Sequence, residues 1–394
     1  MSFYDPKEKK RKPDISREAL ARRIKTKLSK HLIEIGFIKS SSGKYIIPSI
    51  DKDSIRLIHS SQRREKLIQS KKFLNKNYSV LIEYFASGKE ISPKKISPRI
   101  ELVVSGTMQA NLFRLASMTW SIPVSGGYGR RMRFLVWDDN NGKLIGIFAL
   151  GDPVFNLRAR DMAIGWNASD RKERLANVMD AYILGAVPPY NMLLSGKLVA
   201  CVIRTKEVHD FFSERYGNSC GIISGKKKHP NLVMVTTSSA LGKSAIYNRL
   251  RINGVQYFES LGYSSGFGHF HIPSELFNEM RQYLSLCGHD YFSNNRFGNG
   301  PNWKFRAIRA TLELIKMDRN LLNHGINREV FACRLAKNAD YVLSGTQKKP
   351  NYDELLSTNE VSDLAIERWV CPRALRRPEF VNWHRNNIEQ LLVL

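Results

Sequence analysis

Ala159-Arg160-Asp161, followed closely by Ile164-Gly165-Trp166, brings a guanidinium, a carboxylate and an indole into one short stretch. In a cleft, Asp161 could act as a general base or as the carboxylate that orients Arg160, and Trp166 could stack on a nucleobase. The same residues also make sense as an internal Arg–Asp pair beside a core tryptophan. Asn191, after Pro188-Pro189-Tyr190, is a further polar group expected in or beside such a cleft. His269 and His271 alternate in GFGHFHI and would share one face of a strand, which can begin a metal site. Zinc or iron needs at least a third ligand, so exposed or hydrogen-bonded histidines are the other reading. Gly242-Lys243-Ser244 resembles the end of a phosphate-binding loop, but Thr237 stands where G-x-x-x-x-G-K-S requires glycine. Nucleotide hydrolysis through such a loop is therefore not expected.

The cations point to a partner. The formal net charge is +26, from 62 Lys+Arg against 36 Asp+Glu, and a chain so basic is expected to meet a polyanion. Residues 1–99 carry 25 Lys+Arg and 10 Asp+Glu, or +15. Arg22, Arg23, Lys25, Lys27 and Lys30 lie between the apolar positions of the first helical pattern and are candidate nucleic-acid contacts. Arg130, Arg131 and Arg133 in a glycine-rich loop, and Lys226, Lys227 and Lys228 in a second loop, extend that set. A solubilising surface or an acidic partner protein would use the same charges. Asn294, Arg296, Asn299, Asn302 and Trp303 form a polar stretch suited to a linker or a partner-binding loop.

Elements of both kinds must position these residues. Leu20, Ile24, Leu28 and Leu32 or Ile35 recur at helical spacing, with Gly36 as a stop. A small hairpin around Ser42-Gly43 follows, then helical patterns at 53–72 and 75–86. Ser92 to Pro98 reads as a solvated linker. From Ile100 the pattern is mixed: a strand, a helix, a hairpin turning at Asn141-Gly142, a helix from Ser169, the buried strand AYILGAV, two more helices and further strands that close on GFGHFHI. Beyond Pro273 the pattern is helical, REVFACRLAKNADYVL included. The expected fold class is α+β, with a basic helical N-terminal domain and linker at 1–98, a mixed core at 99–290 and a C-terminal helical region at 291–394. Five scattered cysteines without a C-x-x-C pair argue against a disulfide framework or thiolate zinc site. No apolar run is long enough to span a bilayer and no secretory signal is evident, so a cytoplasmic location is expected.

The stretch Arg131 to Ile203 resembles the DruA family of bacterial Druantia anti-phage systems. The hairpin ending at Phe148 to Gly151, then Ala159-Arg160-Asp161, Ile164-Gly165-Trp166 and the spacing of Pro189, Asn191, Leu194 and Ser195 carry the resemblance, over roughly 100–290. It implies a role in antiviral defence with other Druantia proteins, including a helicase-like component, and no settled reaction. The element order is also similar to the N-acetyltransferase fold, which implies a coenzyme A-type ligand at Val187 to Leu194. Prolines 188 and 189 supply no amide to a pyrophosphate there, which disfavours that cofactor. The open alternatives are a nucleic-acid-binding component, a nucleic-acid- or nucleotide-modifying enzyme and an assembly scaffold, with a homo-oligomer among the partners to consider.

Overall fold

The computed structural model of the chain describes residues 16–393, leaving out 42, 221–224, 226 and 294–300. In chain order it runs α1 (Arg17–Glu34), the hairpin β1 (Ile38–Lys39) and β2 (Tyr45–Ile46), α2 (Lys52–Leu81), β3 (Pro98–Leu102), α3 (Met108–Met118), β4 (Arg131–Asp138) and β5 (Lys143–Gly151). Next come α4 (Arg158–Ile164), α5 (Ala168–Arg174), β6 (Val178–Ala186), α6 (Ser195–Cys201), α7 (Lys206–Tyr216), the pair β7 (Ser219–Cys220) and β8 (Lys227–Lys228), and β9 (Met234–Ser238). The remainder is the pair β10 (Arg251–Ile252) and β11 (Val255–Gln256), then β12 (Glu259–Tyr263), α8 (Ser274–Leu286), α9 (Pro301–Leu314), β13 (Glu329–Arg334), α10 (Ala339–Ser344), α11 (Thr358–Ala365) and α12 (Cys371–Arg376). The described residues group into two compact units. One takes in the described residues of Met1–Ile50, Leu57–Gln62 and Gly266–Gly325, the other those of Asp51–Arg56, Arg63–Ser265 and Ile326–Leu394.

In the smaller unit, Ser16 caps α1 by accepting from the Ala19 amide at 3.2 Å, and Leu20, Ile24, Leu28 and Leu32 are buried along one stripe. α8 buries Leu276, Phe277, Met280 and Leu284. Trp303 belongs to α9 and is buried edge-on against Phe277, so the expected polar loop ends before it.

In the larger unit a seven-stranded sheet runs in the order β12-β13-β9-β6-β5-β4-β3. All neighbours are antiparallel except β6 and β9. That parallel pair covers only Val178–Asp180 against Met234–Thr236. Beyond Asp180, β6 continues to Ala186 paired with β5 alone. The central strands are buried on both faces, which explains their unbroken apolar runs. Met132, Phe134, Val136, Phe148 and Leu150 pack on one side with α6, α7 and α11 residues. Leu135, Trp137, Leu144, Ile147 and Ala149 pack on the other with α2 and α3 residues.

Several expectations are corrected. The helical pattern at 53–72 is one with part of 75–86, because Phe73, Leu74 and Tyr78 pack against the sheet and carry α2 through to Leu81. Ser92–Pro98 is no solvated linker: Ile91 and Ile96 are buried in the core and β3 begins at Pro98. Glu329–Arg334 is a strand between β12 and β9 rather than helix, its Phe331 and Cys333 facing one core and Ala332 another. GFGHFHI is not a strand: Phe267 makes an isolated bridge to Asn323 and the chain then turns, with Ile272 donating to the His269 carbonyl.

Candidate functional site

The larger unit carries a surface cleft of about 400 Å³ lined by Asn156, Arg158, Asp161, Met162, Gly165, Trp166 and Arg171. Two short helices build it. α4 ends on Gly165 in the left-handed conformation, φ 81°, a geometry that glycine adopts without strain. The reversal lets the Trp166 amide reach the Asp161 carbonyl at 2.8 Å. Asn167 then caps α5 in a reciprocal box with Asp170.

An ionic cluster lies behind this wall. Arg160 is completely buried. Its Nε and Nη2 donate to Asp161 Oδ1 at 2.9 and 2.6 Å, and its Nη1 and Nη2 reach the carbonyls of Val154 and Phe155 at 2.9 Å each. Asp161 Oδ2 accepts from the Leu157 amide and Arg171 Nη1, both at 3.2 Å. Four donors therefore occupy the Asp161 carboxylate, which holds the guanidiniums of Arg160 and Arg171 in place. Trp166 donates its indole N–H to the Leu343 carbonyl at 2.7 Å and lies beneath the Arg160 guanidinium at 5.4 Å. It is 7% exposed, so the ring forms a wall of the cleft and offers no open face for stacking.

Asp180 stands where the parallel pairing of β6 and β9 stops. Thr236 Oγ1 donates to its carboxylate at 2.8 Å, and loss of solvent pushes the Asp180 carboxyl up to about 6 against the opposing pull of Thr236 and Arg160. Tyr128 is pushed up to about 12 by desolvation and by the Asp180 and Asp152 charges. Sequence reasoning missed Asp180, Arg158, Arg171 and Phe155. Arg158 and Arg171 were legible as cations flanking the motif, whereas the desolvation of Asp180 exists only in the folded sheet.

The other candidates lie elsewhere. Asn191 is exposed in the turn after β6 and does not line the cleft. In that turn the amides of Val187, Asn191, Met192 and Leu194 donate to the carbonyls of Ile145, Val187, Pro189 and Asn191, and the Tyr190 hydroxyl donates to Asp138 at 2.8 Å. With two prolines and these amides committed, Val187–Leu194 does not fit a coenzyme A pyrophosphate. Ser244 Oγ accepts from the amides of Ile246 and Tyr247, and its own amide donates to Glu329, so Gly242-Lys243-Ser244 is a capped turn. His269 and His271 belong to the smaller unit, where burial pulls both down to about 4. Among the described residues no three His, Cys, Asp or Glu side chains are grouped to hold a metal ion.

The cations divide sharply. Arg23 and Lys27 both pair with Glu279, at 2.5 and 2.7 Å, and Lys27 also reaches Glu275 at 3.1 Å. Lys30 lies 3.9 Å from Glu34, whereas Arg22 is exposed and Lys25 half-buried. Arg130 is a structural clamp, bonded to Asp152 at 2.7 Å and to the Ala176 carbonyl at 2.8 Å, with Phe212 under its guanidinium. Arg131 is exposed, and Arg133 donates to Ser105 at 3.1 Å. Lys226 and the side chains of Lys227 and Lys228 lie outside the described residues, as do Asn294, Arg296, Asn299 and the side chain of Asn302. A cationic face that sequence reasoning did not single out is on α2. Arg64, Lys71, Lys72 and Lys76 are exposed there, fall within one side of the helix by their spacing, and have no ion-pair partner among the described residues. On the same helix Arg63 and Lys66 turn inward to the carbonyls of Leu391 and Val124.

Comparison with known proteins places the chain in a family. The model of the family described as "Druantia protein DruA" matches residues 49–345. The chain is also 50% identical over 366 residues to the Druantia protein DruA of Escherichia coli (strain UMEA 4076-1), covering 93% of this chain and 91% of that protein. The chain belongs to the DruA family. Membership makes it a component of an anti-phage defence system, and both the cleft and the α2 face lie within the matched span. No solved structure gives a significant match. Among the described residues no helix is long and apolar enough to cross a membrane.

Proposed function

We propose that this DruA-family protein works in anti-phage defence by binding nucleic acid through the exposed cations of α2, alongside other proteins of the system such as a helicase-like component. The observation that carries this reading is the set Arg64, Lys71, Lys72 and Lys76, without ion-pair partners among the described residues, on a helix segment, 63–81, that holds six Lys+Arg and one Glu. From Arg64 to Lys76 the face extends about 18 Å at the helical rise of 1.5 Å per residue. Side chains spread over that length can follow successive phosphates, and condensed counterions leave as they do so. The N-terminal candidates on α1 contribute less, because Glu279 and Glu275 already neutralise Arg23 and Lys27. The cytoplasm, where phage nucleic acid is met, is the compartment that this reading requires.

The test is a binding titration with duplex DNA, single-stranded DNA and RNA at several salt concentrations. A protein that neutralises 6 to 10 phosphates loses about 10³ to 10⁵ in affinity between 50 and 200 mM salt. Changing Arg64, Lys71, Lys72 and Lys76 to Gln should flatten the slope by about 0.9 for each phosphate no longer neutralised. Salt-insensitive binding, or an unchanged slope in that variant, would sink the proposal.

A second reading is an enzyme with an acyltransferase-like core acting on nucleic acid or a nucleotide. The short parallel pairing of β6 and β9, and their parting after Asp180, favour it. The turn at Val187–Leu194 disfavours a coenzyme A-type ligand. Mass spectrometry of phage DNA from cells carrying the system would detect the base modification that this reading requires.

A further inference from the structure

The geometry points to the cleft at 156–171 as a binding site for a nucleotide phosphomonoester, held by Arg158 and Arg171, with Met162 in its lining and the Phe155 ring packed against Arg171. The site is separate from the α2 face and stands without it.

The charges decide what the cleft accepts. Arg160 and Asp161 neutralise each other through two bonds to the single carboxylate oxygen Oδ1. Of the two guanidiniums that line the cleft, Arg171 donates one bond, from Nη1 to Asp161 Oδ2 at 3.2 Å, and its Nε has no partner among the described residues. Arg158 has no carboxylate partner among the described residues; its Nε meets only the Met162 sulfur at 3.4 Å. Two guanidiniums therefore have one carboxylate oxygen between them, and a dianion placed there completes their hydrogen bonding. Guanidiniums match the oxygens of a phosphoryl group in fork geometry, and Asn156 adds an amide at the same rim.

The apolar side makes the site more than an anion trap. Phe155 is 44% exposed and Met162 68% exposed. The Arg171 guanidinium covers one face of the Phe155 ring at 5.2 Å. An exposed ring against one of the two cleft arginines suits a base and its phosphate, since every base has a π-face to stack. The cleft, at about 400 Å³, falls within the range of small-ligand sites, about 300 to 1,000 Å³. The preformed bonds from Asp161 and Arg160 hold the wall in place before a ligand arrives.

Isothermal titration of the full chain with adenosine 5′-monophosphate, adenosine and inorganic phosphate tests the assignment. Adenosine 5′-monophosphate should bind at least about tenfold tighter than either of the others, and Arg158→Ala should weaken it by about tenfold or more, the worth of one charge-assisted bond. Among the described residues Arg158 has no ion pair to lose, so that variant should keep the thermal midpoint of the parent, whereas Arg171→Lys probes the second arginine while retaining its charge beside Asp161. A 5′-phosphorylated and a 5′-hydroxyl oligonucleotide then separate a free nucleotide from a strand end as the source of the phosphate. Equal binding of adenosine and its monophosphate, phosphate alone binding as tightly as the nucleotide, or nucleotide binding untouched by Arg158→Ala would each overturn the assignment. Neutralising Arg64, Lys71, Lys72 and Lys76 should leave nucleotide affinity unchanged, so failure of the α2 surface and failure of the cleft read out separately.

Discussion

Arg23 on α1 donates through Nη2 to Glu279 Oε1 at 2.5 Å, across 256 residues of chain. Glu279 is nearly buried, its side chain 7% exposed, and Lys27 grips the same oxygen. The carboxyl is held below its usual range by these two cations, against the opposing cost of desolvation. A helix whose basic face looks free in one dimension is thus partly committed to the acidic face of α8.

Arg23→Ala combined with Lys27→Ala should therefore lower the thermal midpoint, because Glu279 is left without its cations, while changing the salt slope of DNA binding little. Glu279→Gln should restore part of the missing stability in that background. Circular dichroism melts of the single, double and triple variants check this. A slope that falls as far as in the α2 variant would show α1 to be a main DNA-binding element as well.

Trp166→Phe keeps a ring in the wall and removes the N–H that reaches Leu343. Leaving that carbonyl without its donor should cost about 1 to 3 kcal/mol, and Trp166→Ala about 3 to 5 kcal/mol through the larger void. Urea unfolding reads both values. A Trp166→Phe midpoint equal to that of the parent would remove the bond from the stability account.

Gly88→Ala should destabilise the C-terminal segment. A Cβ there would sit 1.9 Å from the Phe380 carbonyl oxygen and 2.7 Å from Val381 Cα, and backbone cannot swing aside as a flexible side chain can. The Gly88 amide also donates to the Trp383 carbonyl at 2.8 Å, and Arg385 ties the same segment to Glu90 at 2.5 Å. Overpacking of this kind costs about 1 to 3 kcal/mol. Limited proteolysis should cut beyond residue 377 in the variant before the parent is touched.

Acid should loosen the smaller unit. His269 and His271 are pulled down to about 4, first by burial, so the unfolded chain takes up their protons from about pH 6.5 downward while the folded one does not. Their contribution is complete above that pH and is lost as the pH falls toward 4, by up to about 1.4 kcal/mol per pH unit for each. Asp180 has the opposite sign. Its carboxyl is raised to about 6, so its contribution is present below the ordinary carboxylate range and is lost as pH rises through 6. Asp180→Asn should accordingly stabilise the larger unit more at pH 7.5 than at pH 5, and hydrogen exchange followed across this range distinguishes the two regions.

Local pattern carried much of the architecture. The hairpin of β4 and β5 was legible because Asn141-Gly142 turns between apolar runs, and α1 because Leu20, Ile24, Leu28 and Leu32 recur at helical spacing. Glu329–Arg334 reads as helix in one dimension because a strand buried on both faces loses its alternation, and an apolar run beside helical neighbours then looks helical. Alternation alone puts His269 and His271 on a strand, yet a turn can display the same alternation.

Composition and spacing by themselves determined that this is an α+β chain with a large positive charge, and that Arg160, Asp161 and Trp166 would lie close together, since neighbours within two helical turns cannot be far apart. Which cations stay free was decided only by tertiary structure, for Arg23 meets Glu279 and Arg130 meets Asp152 through pairings that no local spacing encodes. The same holds for Asp180: its proton affinity depends on water being excluded by strands that are distant in sequence, and solvation is a property of the assembled sheet.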